Sequence, residues 1–499
     1  MAALAVDCMI RCSRIFDCMF SQILPLIKRL SNSATLTTFA SYATRTVSVL
    51  IVLPLILSRF SIEEIAAWYL FATFISMQLL IDLGFSPTFT RVIAYALGGA
   101  EDLSDKRSIS KTKMTGSPNW VLIEKIWNTM RVVFLRLTFV AFFLSLIIGT
   151  WFLVKPLSAL QDSFSGWLSW AVIVVVTSFS LWNGSYVSFL QGMNKVALQK
   201  RSEAIISLLS ILTSFIVLRS GGKLLALVLA NQMWVMINIA WNRYLCRSIE
   251  PKLFTAWKKF KTHPKVLSVV WPSAWRSGLG IVMSQGVVQA TGIIYAQFGS
   301  AASVASYLLA LRFIQMVSLF SQSPFYSKLP LMAKLRAEGR IEEQVTVAQR
   351  GMRLAYWVYA IGFIGIGLLI HPALQYIGSK AEFVSSDLWV LIGITFFIER
   401  YGAMHIQLYS TTNRIVWHIA NGISGIMNII FIFLTYSSLG VYSFPLGILV
   451  SYMGFYCWYA AMHSYREFNI NIVQFESKTI LPPLLTLILY SLLVTSGIL

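Results

Sequence analysis

Acidic residues are scarce in this chain: 20 Asp and Glu stand against 40 Lys and Arg in 499 residues, and charged residues make up only 12%. A soluble domain of this length needs a polar surface that such a composition cannot supply. Cysteine is rare too, at five positions. Cys8, Cys12, Cys18, Cys246 and Cys457 form no disulfide framework and fall in or near segments expected on the reducing side of a membrane. Cys8 and Cys12 are one helical turn apart, but no histidine or further ligand accompanies them, so no metal site is expected. The Gly-x4-Gly-Lys-Ser/Thr phosphate loop is missing, which argues against ATP hydrolysis by this chain.

Long apolar runs dominate instead, with 57% hydrophobic residues and a mean hydropathy of +0.70. Runs long enough to cross roughly 30 Å of hydrocarbon as helix define twelve spans. Numbered in chain order, they are residues 34–58, 66–97, 131–153, 167–191, 197–219 and 223–244, then 266–297, 301–327, 353–377, 387–411, 414–437 and 440–465. A thirteenth apolar stretch, 479–498, either crosses or lies shallow. The expected fold is an all-α polytopic membrane protein. Two six-helix bundles, 34–244 and 266–465, flank a basic linker at 245–265, and an apolar segment at 466–499 follows them.

The net charge of +20 is explained by its placement. With the N-terminus cytoplasmic, the outward loops carry only five of the 40 Lys and Arg, namely Arg59, Lys155, Arg219, Lys223 and Lys380. Six arginines lie inside spans and the other 29 lie on inward segments, among them Lys106, Arg107, Lys111, Lys113, Lys258, Lys259 and Lys261. This asymmetry predicts an N-in orientation. Residues 1–33 mix Arg11, Arg14, Lys28 and Arg29 with Phe16, Phe20, Ile23 and Ile27, which reads as an amphipathic segment on the inner surface.

The halves resemble each other. Tyr69-Leu70-Phe71-Ala72 and Ser86-Pro87 in span 2 match Tyr307-Leu308-Leu309-Ala310 and Ser323-Pro324 in span 8. Asn194-Lys195-Val196 after span 4 matches Asn413-Arg414-Ile415 after span 10. An even number of helices per copy gives both the same orientation, related by an axis along the membrane normal, with a cleft between them.

The six intramembrane arginines are Arg45, Arg91, Arg136, Arg276, Arg312 and Arg400. Each costs about 2.5–3.5 kcal/mol on insertion scales, so several imply a wet interior. The planar guanidinium fork stays charged and donates paired hydrogen bonds to phosphate oxygens, which suits a diphosphate. Arg45, Arg91, Arg276 and Arg312 are the candidate diphosphate ligands, whereas Arg136, near a span end, is expected to snorkel. The intramembrane acids are Asp82, expected to pair with Arg45, and Glu399, the neighbour of Arg400. Asp82, Glu399 and Arg400 serve either ion coupling or ion pairing. His405 and His418 default to satisfied interior histidines, and Asn183, Asn231, Gln232, Asn421 and Asn428 to helix–helix hydrogen bonds.

The embedded Arg45, the outer Ser61-Ile62-Glu63-Glu64, then Asp82-Leu83-Gly84-Phe85 and Arg91, resemble the start of polysaccharide repeat-unit flippases. These are O-antigen type, Wzx-like members of the multidrug/oligosaccharidyl-lipid/polysaccharide exporter superfamily. Asn194-Lys195, and Leu329-Pro330 with Ala333 and Arg336, fit the same pattern. The resemblance implies two bundles in a V around a cation-lined cavity. Through it an undecaprenyl-diphosphate-linked oligosaccharide would be exported across a bacterial inner membrane by alternating access. It places cavity charges at Arg45, Asp82, Arg91, Arg276 and Arg312. Its expected partners are the lipid-linked oligosaccharide, membrane lipids and other polysaccharide-assembly membrane proteins, with no nucleic acid. No catalytic residue, metal or cofactor is expected, and the coupling species open to it are H+ or Na+. The alternative within the superfamily is a cation-coupled multidrug exporter, which needs an acidic cavity that six bases and two acids do not supply. A membrane glycosyltransferase or acyltransferase needs converging acid and base groups, for which five histidines and short loops offer little.

Overall fold

The structure, a computed structural model, describes residues 51–100, 117–255, 262–412 and 416–496. Residues 1–33, Arg45 and Arg414 lie outside them, as do Cys8, Cys12, Cys18 and most of the loop after span 2. Every regular element among the described residues is helical, which is how a backbone crossing hydrocarbon satisfies its own N–H and C=O groups.

Residues 51–59 are the helical end of span 1. Trp120–Ser158, Ser163–Gly192, Val196–Arg219 and Leu224–Ile249 are spans 3 to 6, and Pro264–Phe298, Ala301–Tyr326 and Ile341–Ile377 are spans 7 to 9. Span 10 is Ser386–Ser410. Span 11, Trp417–Leu439, turns back at Gly440, whose φ of 54° is left-handed, into span 12, Ser443–Ser451 and Cys457–Phe468 joined by a π turn. Gly447 on span 12 sits against Asn428, Phe431 and Ile432 of span 11, as an antiparallel hairpin requires.

Span 2 departs from the continuous helix expected over 66–97. It consists of Ile62–Ile81 and Phe85–Leu97, broken at Asp82-Leu83-Gly84. Leu83 (φ 48°) and Gly84 (φ 72°) are both left-handed, and Asp82 closes the start of the second piece by accepting from Ser86 N at 3.2 Å and Ser86 Oγ at 2.7 Å. A carboxylate there satisfies an otherwise orphaned N–H and complements the positive helix end. Span 8, its counterpart in the repeat, has Leu319-Phe320-Ser321-Gln322 at this level and runs unbroken.

Span 4 packs on spans 3 and 6, and span 5 on span 6; in the other half span 8 packs on spans 9 and 10, and span 12 on spans 10 and 11. The linker docks on the first bundle, with the Phe254 ring 4.6 Å from Trp127 and His263 N donating to Thr129 Oγ1 at 3.0 Å.

The C-terminal segment forms Ile472–Glu476 and Leu481–Thr495. Glu476 meets His405 near one end of span 10, whereas Tyr490 packs edge-on against Phe363 and, with Trp389 at the other end of span 10, closes over Gly367. Sixteen residues of span 10 separate His405 from Trp389, about 24 Å of helix. The segment therefore runs through the bundle's depth, and the shallow alternative is set aside.

Candidate functional site

The bundles meet chiefly through spans 2, 7 and 8. Below, inner and outer follow the orientation expected from the charge asymmetry. In the inner half, the break in span 2 sits on span 7 with almost no clearance. A Cβ on Gly84 would come 2.6 Å from Ser277 Cβ, and one on Gly278 would come 2.7 Å from Leu83 Cα. Only glycine permits this approach. At the outer end, Gln297 of span 7 donates to Phe152 O of span 3 at 2.7 Å, and Lys155 Nζ donates to Gln297 O.

Between these contacts, Tyr69 of span 2 faces Arg312 of span 8 across the interface. Tyr69 is 3% exposed, and its hydroxyl has no hydrogen-bond partner among the described residues. Arg312 is half-buried, within Coulombic reach of that hydroxyl, and no described carboxylate pairs with it. The repeat equivalent of Tyr69, Tyr307, is by contrast hydrogen-bonded to Thr291 at 3.0 Å. An unpaired guanidinium opposite an unpaired phenol is a two-sided donor set for an anionic oxygen.

Arg276 and Arg91 are exposed, on span 7 and on the second piece of span 2. Ala274 and Gly278, which hold the span 2 break, lie about 160° around the helix from Arg276. Arg276 therefore points away from span 2, towards the flank where His418 of span 11 is within Coulombic reach. It does not join Arg312 at one point, and neither does Arg91. Neither has a carboxylate partner among the described residues. Arg136 is exposed on span 3.

Both intramembrane acids are engaged. Asp82 binds Ser86, while Arg45, its expected partner, lies outside the described residues. Glu399 Oε2 pairs with Arg400 Nη2 at 3.2 Å. Arg400 is 6% exposed, donates to Gln322 of span 8 at 3.2 Å, and stands among Tyr326, Tyr359 and Tyr456. This pair lies inside the second bundle.

Among the interior amides, Asn242 Nδ2 donates to Asn183 Oδ1 at 3.2 Å and Asn231 Nδ2 to Ser214 Oγ at 3.3 Å, both between helices, whereas Asn231 also donates to Leu227 O of its own helix at 2.8 Å and the buried Asn428 Oδ1 has no partner among the described residues. Sequence reasoning missed Tyr69 as a site residue, because a tyrosine within an apolar run reads as core. Its one signal was the repeat that aligns it with Tyr307.

Two helical bundles that meet along spans 2, 7 and 8 make an all-helical polytopic membrane fold, and solved transporters described as members of the MOP superfamily share it. An inward-facing multidrug resistance MATE family transporter of that superfamily matches with a TM-score of 0.64 and 14% identity, over 89% of this chain and 96% of its own. The lipid II flippase MurJ, in an inward closed conformation, matches at 0.57 and 12% identity, over 93% of this chain and 98% of its own. A MOP superfamily transporter from Pyrococcus furiosus, described as having a binding pocket of reverse polarity that suggests a different function, matches at 0.59 and 15% identity, over 89% and 95%. No family model matches the chain, and no curated protein matches it in sequence.

Proposed function

We propose that this chain is a flippase that carries a lipid-linked oligosaccharide, held by its diphosphate, across a bacterial inner membrane for surface polysaccharide assembly. One observation carries this reading. Both intramembrane acids are committed, Asp82 to Ser86 and Glu399 to Arg400, whereas Arg91, Arg276 and Arg312 have no carboxylate partner among the described residues. The charge left over for a cargo is positive. A cationic drug would meet repulsion there, and a diphosphate would meet donors at more than one depth. The likeness to a lipid II flippase supports a lipid-linked cargo, and the likeness to a transporter described as having a binding pocket of reverse polarity supports a cargo other than a cationic drug.

In use, Arg312 and Tyr69 grip the diphosphate from opposite bundles while the sugars occupy the cleft and the prenyl chain stays in lipid. The test is a reconstituted vesicle assay, in which a fluorescent polyprenyl-diphosphate oligosaccharide becomes accessible to a membrane-impermeant quencher. The wild type should flip it, and the triple change Arg45→Ala, Arg276→Ala, Arg312→Ala should not. Wild-type flipping by the triple variant would reject the site. Export of a cationic dye without flipping would favour the multidrug reading.

A further inference from the structure

A buried polar network away from Arg312 ties the C-terminal segment to spans 10 and 12. His405 of span 10 is fully buried. Its Nε2 lies 3.1 Å from Glu476 Oε1, and its Nδ1 lies 2.6 Å from Ser464 Oγ. Glu476 Oε1 also accepts from Tyr465 at 2.6 Å, and Oε2 accepts from Thr479 at 2.7 Å. Tyr401 reaches the Tyr465 oxygen at 2.8 Å.

Counting hydrogens in this network gives two complete states. Ser464 has one hydroxyl hydrogen and two acceptors in range, His405 Nδ1 and Ala461 O at 2.9 Å. If the hydroxyl donates to Ala461 O, Ser464 accepts from Nδ1–H. Nε2 must then also carry a proton to meet the carboxylate, and His405 is an imidazolium. If the hydroxyl turns to Nδ1, a neutral ring still donates Nε2–H to Glu476. Both states satisfy the ring, and they differ by one proton and one hydroxyl rotation.

The titratable groups facing His405 are Tyr401 on its own helix, Tyr465 on span 12 and Glu476, and Tyr356 on span 9 lies behind them, near Glu476 and Tyr401. No described lysine or arginine contacts the ring. Burial pushes the Glu476 carboxyl up, but the donors from His405, Tyr465 and Thr479 outweigh it and hold it below its ordinary value. The carboxylate thus stays charged and ready to balance an imidazolium. Its side chain is 15% exposed, so the network reaches the inner face at Glu476. In the other direction the buried Tyr356 hydroxyl, unpartnered among the described residues, is electrostatically coupled to Glu476, Tyr401 and Arg400. Arg400 in turn bonds Gln322 on span 8, the helix that carries Arg312.

We propose that His405 and Glu476 form a proton-binding site, loaded from the inner face, whose occupancy biases the bundles between inner-closed and inner-open arrangements. In the loaded state the additional proton resides on His405 Nδ1, with the Ser464 hydroxyl turned to Ala461 O. The proposal rests on the chain being a transporter, and not on the identity of its cargo.

The experiment uses the full chain in phosphatidylethanolamine/phosphatidylglycerol nanodiscs, without cargo. The five histidines are labelled with 15N, and His405→Gln identifies the His405 signals. Wild-type His405 should pass from one to two protonated ring nitrogens as the medium is acidified. Spin labels at the exposed Lys195→Cys and Lys328→Cys, with Cys8, Cys12 and Cys18 replaced and the buried Cys246 and Cys457 left in place, report the inner separation of the bundles. The ratio of the two distance populations should change about fivefold or more over the same titration. His405→Gln and Glu476→Gln should abolish the change. Ser464→Ala, which keeps ring and carboxylate but removes the shared hydroxyl, should move its midpoint. A His405 ring fixed in one protonation state, distances that do not respond to pH, or variants that titrate like the wild type would each overturn the proposal. None of these results bears on whether the cargo is a lipid-linked saccharide.

Discussion

Gly278→Ala should pry the bundles apart at their inner contact. The added methyl would stand 2.7 Å from Leu83 Cα and 2.9 Å from Leu83 C, both backbone atoms that cannot swing aside. Ordinary carbon contacts lie near 3.5–4.0 Å, so span 2 and span 7 must separate by about 1 Å or strain by a similar amount. Overpacking of this kind costs about 1–3 kcal/mol. Alanine's intrinsic helix advantage over glycine, about 1 kcal/mol, acts on the open and closed arrangements alike and cancels from their ratio. The inner-open population should therefore rise about 5- to 150-fold relative to the closed one. Electron–electron distance measurements between labels at Lys195→Cys and Lys328→Cys would show a longer component. Labels at the outer, exposed Ser158→Cys and Ser300→Cys would show none. Gly365→Ala on span 9, where an added Cβ meets nothing within 4 Å, is the control and should leave both distances unchanged. If Gly278→Ala gave the wild-type inner distance, the contact of span 7 with the span 2 break would not be what closes the inner side.

At the site itself, Arg312→Ala should slow flipping about 10- to 150-fold, the worth of a charge-assisted hydrogen bond, and Arg312→Lys should recover part of that. Tyr69→Phe removes a neutral donor and should cost about 2- to 12-fold, and equal rates for Tyr69→Phe and wild type would remove Tyr69 from the site. Glu476, held below its ordinary value of 4.5, stabilises the fold fully above that pH and loses the contribution as pH falls below it. Melting temperatures followed into acid should therefore fall more steeply for the wild type than for Glu476→Gln. Gly393→Ala would put a methyl 2.0 Å from the Phe363 ring; it should cost about 3 kcal/mol or more and lower Tm clearly, and an unchanged Tm would mean that spans 9 and 10 do not meet there.

The sequence exposes some of these features better than others, for physical reasons. Spans are legible because hydrocarbon demands about 20 apolar residues whatever they pack against. A break inside such a run is not, since Ile81, Leu83 and Phe85 keep hydropathy high across Asp82 and Gly84; only the Asp-Leu-Gly order signals it. Charges stand out by their cost, which is why Arg312 is conspicuous in the sequence and Tyr69, opposite it in the structure, is not. Glu399 and Arg400 project about 100° apart on an ideal helix, yet their long side chains curl together in the bundle interior. The His405 network was hidden for a different reason. Its acid, Glu476, lies 71 residues away on a short helix, and nothing local marks either residue as paired.

These features act on one quantity, the relative position of the bundles. The span 2 break and Gly278 set how closely the bundles approach on the inner side. On the proposed function, Tyr69 and Arg312, one on each bundle, share a ligand when an anion lies between them, and cargo binding then favours the arrangement that holds them at the right separation. A ligand shifts such a balance only by its differential affinity for the two arrangements. A diphosphate bridging Arg312 and Tyr69 has that differential built in, because moving span 2 from span 8 strips it of one donor. A cation at the same place meets the repulsion of the Arg312 guanidinium in either arrangement. On the proposed function, the sign of the leftover charge selects the cargo that drives the change, and that sign comes from the engagement of Asp82 and Glu399 rather than from the fold.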